Sequence, residues 1–221
     1  MSEPLRLVLA RHGQTPSNVA KLLDTVLPGP GLTELGRAQA AALGEELVTG
    51  TLITALYCSA AARARETAGL VGAVLGLEPE VVDGLHEVQV GELEGRNDDA
   101  AIAVFREVFE QWQAGDLGVA FPGGESGSDL LTRWRAGVTG IRERHTGGGT
   151  VVVVGHGAAV RLAAADLVAG RGVPPHESNH LDNCGRVVVS ARDDGPPDWE
   201  LEAWLSAVPG GLPSTHDVTG G

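Results

Sequence analysis

Lysine is almost missing from this chain: Lys21 is the only one, so nearly all of the positive charge is arginine. Basic residues are outnumbered, 16 against 29 acidic ones, for a formal net charge of −13, and no basic stripe runs along the sequence. A protein that neutralises the phosphates of a polymer needs the opposite balance, so nucleic acid is not an expected partner. Anionic membranes would be repelled by the same charge, and no run of about 18 apolar residues exists to span a bilayer. The start, Met1-Ser2-Glu3-Pro4, lacks a basic n-region, so no signal peptide is expected. Cysteine is equally scarce. Cys58 and Cys184 lie far apart without metal-ligand spacing, which fits a reducing compartment and makes a cytoplasmic protein the expectation. Because arginine is the default cation here, an arginine gains meaning only from its position.

What the sequence does have is enough apolar residue, 43% of 221, to bury one ordinary domain core. Leu5–Ala10, Leu52–Tyr57 and Thr150–Val154 are short apolar runs of strand length. Helices are predicted between them: from the N-cap Thr33 to Gly50, from a cap at Ser59 to Gly76, across Ala101–Trp112, and from a Ser126/Asp129 capping box to about Arg144. An alanine-rich helix follows Gly155-His156-Gly157. Val187–Ala191 and Glu200–Leu205, separated by Asp193-Asp194-Gly195-Pro196-Pro197, read as a hairpin. Arg11 to Asn18 is polar and reads as a loop. This alternation predicts a three-layer α/β/α sandwich with a mostly parallel central sheet. One domain is expected over 1–206, and residues 207–221, rich in Gly, Pro, Ser and Thr, read as a flexible C-terminal tail.

In such a sheet, ligands bind beyond the carboxyl ends of the strands. Three polar clusters fall there: Arg11-His12, Ser59 to Arg63, and His156-Gly157. Helix N-termini follow at least two of them, presenting free N–H groups to an oxyanion. Two imidazoles, two guanidiniums and helix N-termini on one edge describe a pocket for a compact, highly charged anion, with phosphate the leading candidate. Arg63 and Arg65 lie about 200° apart on a helix, so both cannot face one pocket.

Leu9-Ala10-Arg11-His12-Gly13-Gln14-Thr15 with Asn18 resembles the signature of the histidine phosphatase superfamily, the phosphoglycerate-mutase-like group. The resemblance continues through Leu32–Ala40, Ser59 with Arg63–Ala68, Leu85-His86-Glu87 with Gly91 and Glu94-Gly95, Pro122–Ser126, and Val154–Gly157. Any one block is weak evidence; their order along residues 5–160 makes the set specific. The resemblance implies that His12 attacks phosphorus and becomes phosphohistidine. Arg11, Arg63 and His156 would hold the equatorial oxygens, and Glu87 would protonate the leaving oxygen and later activate water. Asn18, Gln14, Thr15 and Gly157 are the implied substrate-binding residues, and Arg63 rather than Arg65 matches the motif. Asp83, Glu92 and Glu94 lie near enough in sequence to be rivals for the acid. No metal and no cofactor is expected, because arginines and helix N-termini supply the positive charge.

Some positions depart from the family pattern. Ala60-Ala61 follow Ser59 where relatives commonly have a proline-containing pair, Glu66 stands where glutamine is common, and Leu22–Pro30 does not resemble the usual substrate-facing loop. His176-Glu177-Ser178-Asn179-His180 fits the zinc motif H-E-x-x-H. Flanking prolines and missing helical periodicity argue for a polar loop instead. The expected function is hydrolysis of a small phosphorylated metabolite. A cofactor-dependent phosphoglycerate mutase is the alternative, and a non-catalytic phospho-ligand binder the third reading. The compact Val88–Phe121 stretch favours hydrolysis over the mutase. A homodimer is the expectation from base rates.

Overall fold

Each of the apolar runs alternates between two cores. In β1 (Leu5–Arg11), Leu7 and Leu9 join one apolar cluster while Val8 and Ala10 join the other. In β4 (Gly149–Gly155), Val151 and Val153 face the first and Val152 and Val154 the second. A strand buried on both faces needs no polar side, which is why these runs read as continuous hydrophobes. The computed structural model describes residues 3–170, 173, 179–192, 198–215 and 217.

The sheet has the order β3-β2-β4-β1-β5-β6, where β2 is Ile53–Cys58, β3 Glu80–Val81, β5 Arg186–Ala191 and β6 Trp199–Leu205. β3, β2, β4 and β1 pair in parallel, and β5 and β6 pair antiparallel at one edge. β5 and β6 are therefore the antiparallel neighbours expected of a hairpin; its turn, Asp193–Pro197, lies outside the described residues. Helices α2 (Glu34–Val48) and α3 (Ala62–Leu75) cover one face. Helices α4 (Asp99–Gln113), α5 (Gly127–Arg144) and α6 (Gly157–Leu167) cover the other. The fold is the expected α/β/α sandwich.

Two local expectations change. Ser59 does not cap α3; the N-cap is Ala61, which has no capping side chain. The Ser59 hydroxyl is engaged by His156 instead. The polar stretch after β1 is not all loop. Thr15 opens a one-turn helix, α1 (Pro16–Val19), closed by a reciprocal bond from Asn18 and pre-set by Pro16 at its first position. Thr33 caps α2 and Ser126/Asp129 box α5 as the sequence indicates.

The described residues beyond 206 sit against the domain. A 3-10 turn at Pro209–Gly211 lies on α2, and Gly210 N–H donates to Glu46. Gln39 Nε2 donates to Pro213 O at 2.8 Å, Ser214 donates to Asp182, and Gln14 Nε2 donates to Thr215. Asp217 forms a buried ion pair with Arg11 at 2.5 Å. Composition marks this stretch as lacking regular structure; it carries no signal that buried amides and a guanidinium await its acceptors. The His176–His180 match falls largely in residues 174–178, outside the described residues.

Candidate active site

The pairing of β1 with β4 sets Arg11 beside Gly155, and the ladder runs on one step, with His12 N–H donating to Gly155 O at 3.0 Å. On the other side Ser59 N–H donates to Val154 O at 2.9 Å. His12, His156 and Ser59 are thus fixed to one strand edge by backbone bonds before any side chain acts. The loop at Gly13 packs directly on the first turn of α2: a Cβ there would sit 2.4 Å from Gly36 O, so only glycine fits.

His12 is buried, and its Nδ1 lies 2.7 Å from Gly13 O. A carbonyl can only accept, so Nδ1 carries the proton and Nε2 keeps its lone pair. Nε2 meets the Nε–H of Arg63 at 3.2 Å. Burial, then Arg63 and Arg11, hold the imidazole well below its ordinary pKa, while the Gly13 bond acts the other way. A neutral imidazole of fixed orientation results, with its Nε2 lone pair turned to Arg63.

His156 lies 5.3 Å from His12, ring to ring. Its Nε2 is 2.8 Å from Ser59 Oγ, which itself accepts the Ala61 N–H at 3.3 Å. The Ser59 proton is therefore free to reach Nε2, which puts the ring proton of a neutral His156 on Nδ1. That atom is buried and has no hydrogen-bond partner among the described residues, leaving a donor for an incoming oxygen. Burial is the main cause lowering the His156 pKa, with Arg63 next.

Glu87 is likewise buried. One carboxylate oxygen accepts from Val88 and Ala159 N–H at 2.9 Å each, and the other from Ala158 N–H at 3.2 Å. Two of these donors belong to the first turn of α6, so the helix N-terminus serves Glu87. These bonds and Arg63 favour the carboxylate, yet burial outweighs them and the pKa is raised. The segment carrying it is gripped by Arg133 of α5, which donates to the carbonyls of Gly84, His86 and Glu87 and pairs with Glu125 at 2.6 Å.

A small, partly open pocket is lined by His12, Thr15, Ser17, Asn18, Leu22, Asp24, Arg63 and Glu87. Among the residues expected from sequence, His12, Glu87, Arg63, Asn18 and Thr15 converge on it. Arg11 does not line it; its guanidinium donates to Leu181 O at 2.9 Å and to Asp217, and its charge acts on His12. The Gln14 side chain is also turned away, bonded to Thr33 and Thr215. Gly157 begins α6 behind Glu87. Asn18 Oδ1 accepts from Thr15 N–H and from Asn183 Nδ2, and Asn183 Nδ2 also donates to His12 O at 3.2 Å.

Ser17, Leu22 and Asp24 were not among the expected site residues, and neither were the supporting residues Arg133 and Asn183. Asp24 lies in the loop whose sequence departs from the family pattern, so motif matching is silent there. Asn183 sits 165 positions from Asn18, a pairing only the fold reveals.

The profile of the histidine phosphatase superfamily (branch 1) matches residues 7–205. The chain is 29% identical over 214 residues to the probable phosphoglycerate mutase GpmB of Photorhabdus laumondii, covering 96% of this chain and 94% of that one. It is 43% identical over 81 residues to the PE-PGRS family protein PE_PGRS11 of Mycobacterium tuberculosis; that match covers 37% of this chain and spans only 14% of the relative. Among solved structures, the mycobacterial glucosyl-3-phosphoglycerate phosphatase Rv2419c in complex with VO3 matches with a TM-score of 0.77 at 29% identity, covering 92% of this chain and 100% of that one.

Proposed function

The chain belongs to the histidine phosphatase superfamily (branch 1), and from that premise we propose that it hydrolyses phosphate monoesters of small metabolites through a phosphoryl group carried on His12. The observation that carries this reading is the pinned imidazole: Nδ1–H is fixed on Gly13 O, and the Nε2 lone pair points at Arg63 in a pocket shared with Glu87. When the ester enters, Arg63 Nε–H exchanges Nε2 for a phosphoryl oxygen, and His156 Nδ1–H supplies a second donor. Nε2 attacks phosphorus; the P–O ester bond breaks as Glu87 delivers its proton to the leaving oxygen. Glu87, now a carboxylate, takes a proton from water, whose oxygen attacks phosphorus and releases neutral His12. Arg11 adds positive potential from behind. No step calls on a metal, since positioning and charge neutralisation are what phosphoryl transfer requires.

The relative named as a phosphoglycerate mutase keeps that activity as the second reading. Against it, α4 in the Val88–Phe121 segment directs Phe105, Phe109 and Trp112 into the core rather than over the pocket. Phosphoglycerate isomerisation that a bisphosphate stimulates, and that outruns phosphate release, would establish the mutase. Both thiols are free and buried, with burial pushing Cys58 up to about 11 and Cys184 to about 12. This fits a reducing compartment, and the cytoplasm is where we place the protein. Among the described residues, no helix is long and apolar enough to cross a membrane. We further propose a homodimer, which light scattering tests directly.

Rapid quench after mixing with labelled aryl phosphate tests the covalent step. Acid-labile, alkali-stable phosphate on His12 is expected. An alkali-labile adduct, or near-normal turnover by His12→Ala, would remove the nucleophile assignment.

A further inference from the structure

We propose that Asp24 forms a leaving-group subsite that selects phosphate esters whose alcohol part carries an ammonium or hydroxyl group and rejects those carrying a carboxylate. The inference rests on the hydrolase reading above, and it adds what the alcohol side of the substrate must look like.

Asp24 lines the same pocket as His12, Arg63 and Glu87. Its neighbours on both sides are anchored. Leu23 N–H donates to Arg96 O at 2.9 Å and Gly95 N–H donates to Leu23 O at 2.7 Å, with Leu23 fully buried. On the other side, the Glu94 carboxylate accepts from Thr25 N–H, Thr25 Oγ1–H and Val26 N–H, and Gln89 Nε2 donates to Thr25 O. The backbone carrying Asp24 is therefore set by partners on both sides, the buried Leu23 and the half-buried Glu94 and Gln89 among them, and its carboxylate is part of the pocket wall.

That carboxylate is only partly satisfied by the protein. Oδ2 accepts the Ser17 hydroxyl at 2.6 Å. Oδ1 stands 3.9 Å from Arg63 Nη1, beyond hydrogen-bond reach. Arg63 Nη1 is itself buried and has no hydrogen-bond partner among the described residues. The guanidinium thus keeps a donor in reserve for the phosphoryl oxygens. Once a phosphate dianion occupies it, Asp24 loses much of its counter-charge and faces the alcohol portion of the ester. A group that donates hydrogen bonds there, or carries positive charge, compensates for that loss. A carboxylate would meet Asp24 with no cation besides Arg63 among the lining residues, and Arg11 is held by Asp217 outside the pocket.

Two like charges about 6 Å apart in an effective dielectric near 20 disfavour each other by roughly a hundredfold. The Asp24 side chain is 18% exposed, so water reduces the expected discrimination to about tenfold for each charge type.

The test compares O-phosphoethanolamine, ethyl phosphate and phosphoglycolate as three small alkyl esters carrying a cation, no charge and a carboxylate. The wild-type protein should rank them in that order by kcat/KM, with a cation-to-carboxylate ratio near 100. Asp24→Asn should cut this ratio at least tenfold. The ratio does not depend on how much of the variant folds, and the wild-type dependence on ionic strength gives a second reading: added salt should narrow the ratio. Hydrolysis of all three without that ranking, or a ratio unchanged in Asp24→Asn, overturns the Asp24 subsite and leaves the hydrolase standing. No hydrolysis of these esters or of p-nitrophenyl phosphate by the wild-type protein overturns the hydrolase reading and the subsite with it.

Discussion

At the proposed phosphate end of the pocket, His12 follows a strand end and bonds to the sheet, His156 lies behind it at the end of β4, and Glu87 rests on the N-terminus of α6. At the alcohol end, Asp24 and Ser17 sit on the short α1 and the irregular loop after it, held by side chains that reach in from elsewhere. The first end draws its precision from regular secondary structure, which a strand-turn-helix pattern specifies locally. The second draws it from long-range partners, Glu94 and Gln89, which the loop's own sequence does not announce. The proposed chemistry therefore resides where the fold is most constrained, and the proposed selectivity where sequence can change without disturbing the sheet.

The difference can be broken most severely at its chemical end. His12→Ala should lower turnover at least about 10⁴-fold, since no other lining residue offers a neutral nitrogen nucleophile; steady-state assay with an aryl phosphate measures this, and residual activity within tenfold of wild type refutes it. Glu87→Gln should slow alkyl phosphates by about 10²–10⁴-fold. Aryl phosphates need little proton donation, so their first step should suffer less and a burst of phosphoenzyme should build up before water, now without its base, reacts.

The pH profile carries the same signature. Burial raises the Glu87 pKa, so its acid form is present below that value and is lost as pH rises through it. The pKa of His12 is depressed, so its neutral form survives well below 6.5. Wild-type kcat for alkyl phosphates should therefore hold in mild acid and fall with rising pH, and the descending limb should vanish in Glu87→Gln. Equal slowing of aryl and alkyl esters with no burst would move the acid to another carboxylate.

A smaller effect is expected at the alcohol end. Glu94→Gln weakens the clamp on Thr25, and displacing Asp24 even slightly should cost about tenfold in selectivity between cationic and carboxylate esters. An unchanged ratio would show that the loop holds Asp24 without Glu94. Smallest of all is a change remote from both ends. Gly76 closes α3 with φ of +70° and open space around it, so Gly76→Ala should cost about 1 kcal/mol in denaturant unfolding with kcat/KM unchanged.

How much of this was legible in sequence follows the same division. β1, β4, α2 and α5 were readable because apolar spacing and caps such as Thr33 and Ser126 are local signals. His12, Arg63 and Glu87 were readable because the motif fixes them next to such elements. The turn of helix at Pro16–Val19 was missed because four residues carry no periodicity. Arg11 and Gln14 match the motif by position, yet their side chains turn towards partners contributed by the C-terminal segment, Asp217 and Thr215. No pattern near residue 12 encodes those partners.

That last pairing has a consequence in time as well as in space. Arg11 and Asp217 are separated by 206 positions, and a ribosome makes the chain from its amino end at roughly 5–20 residues per second. The guanidinium is synthesised long before its carboxylate, which arrives only after the six strands of the sheet have been made. A nascent chain can bury Leu7 and Leu9 against the β4 valines long before that. It then carries a folded sheet edge whose arginine lacks the partner that turns it away from the pocket. Final placement of Arg11 thus waits for Asp217, and a chain interrupted before that residue would hold His12 beside a guanidinium without its buried carboxylate.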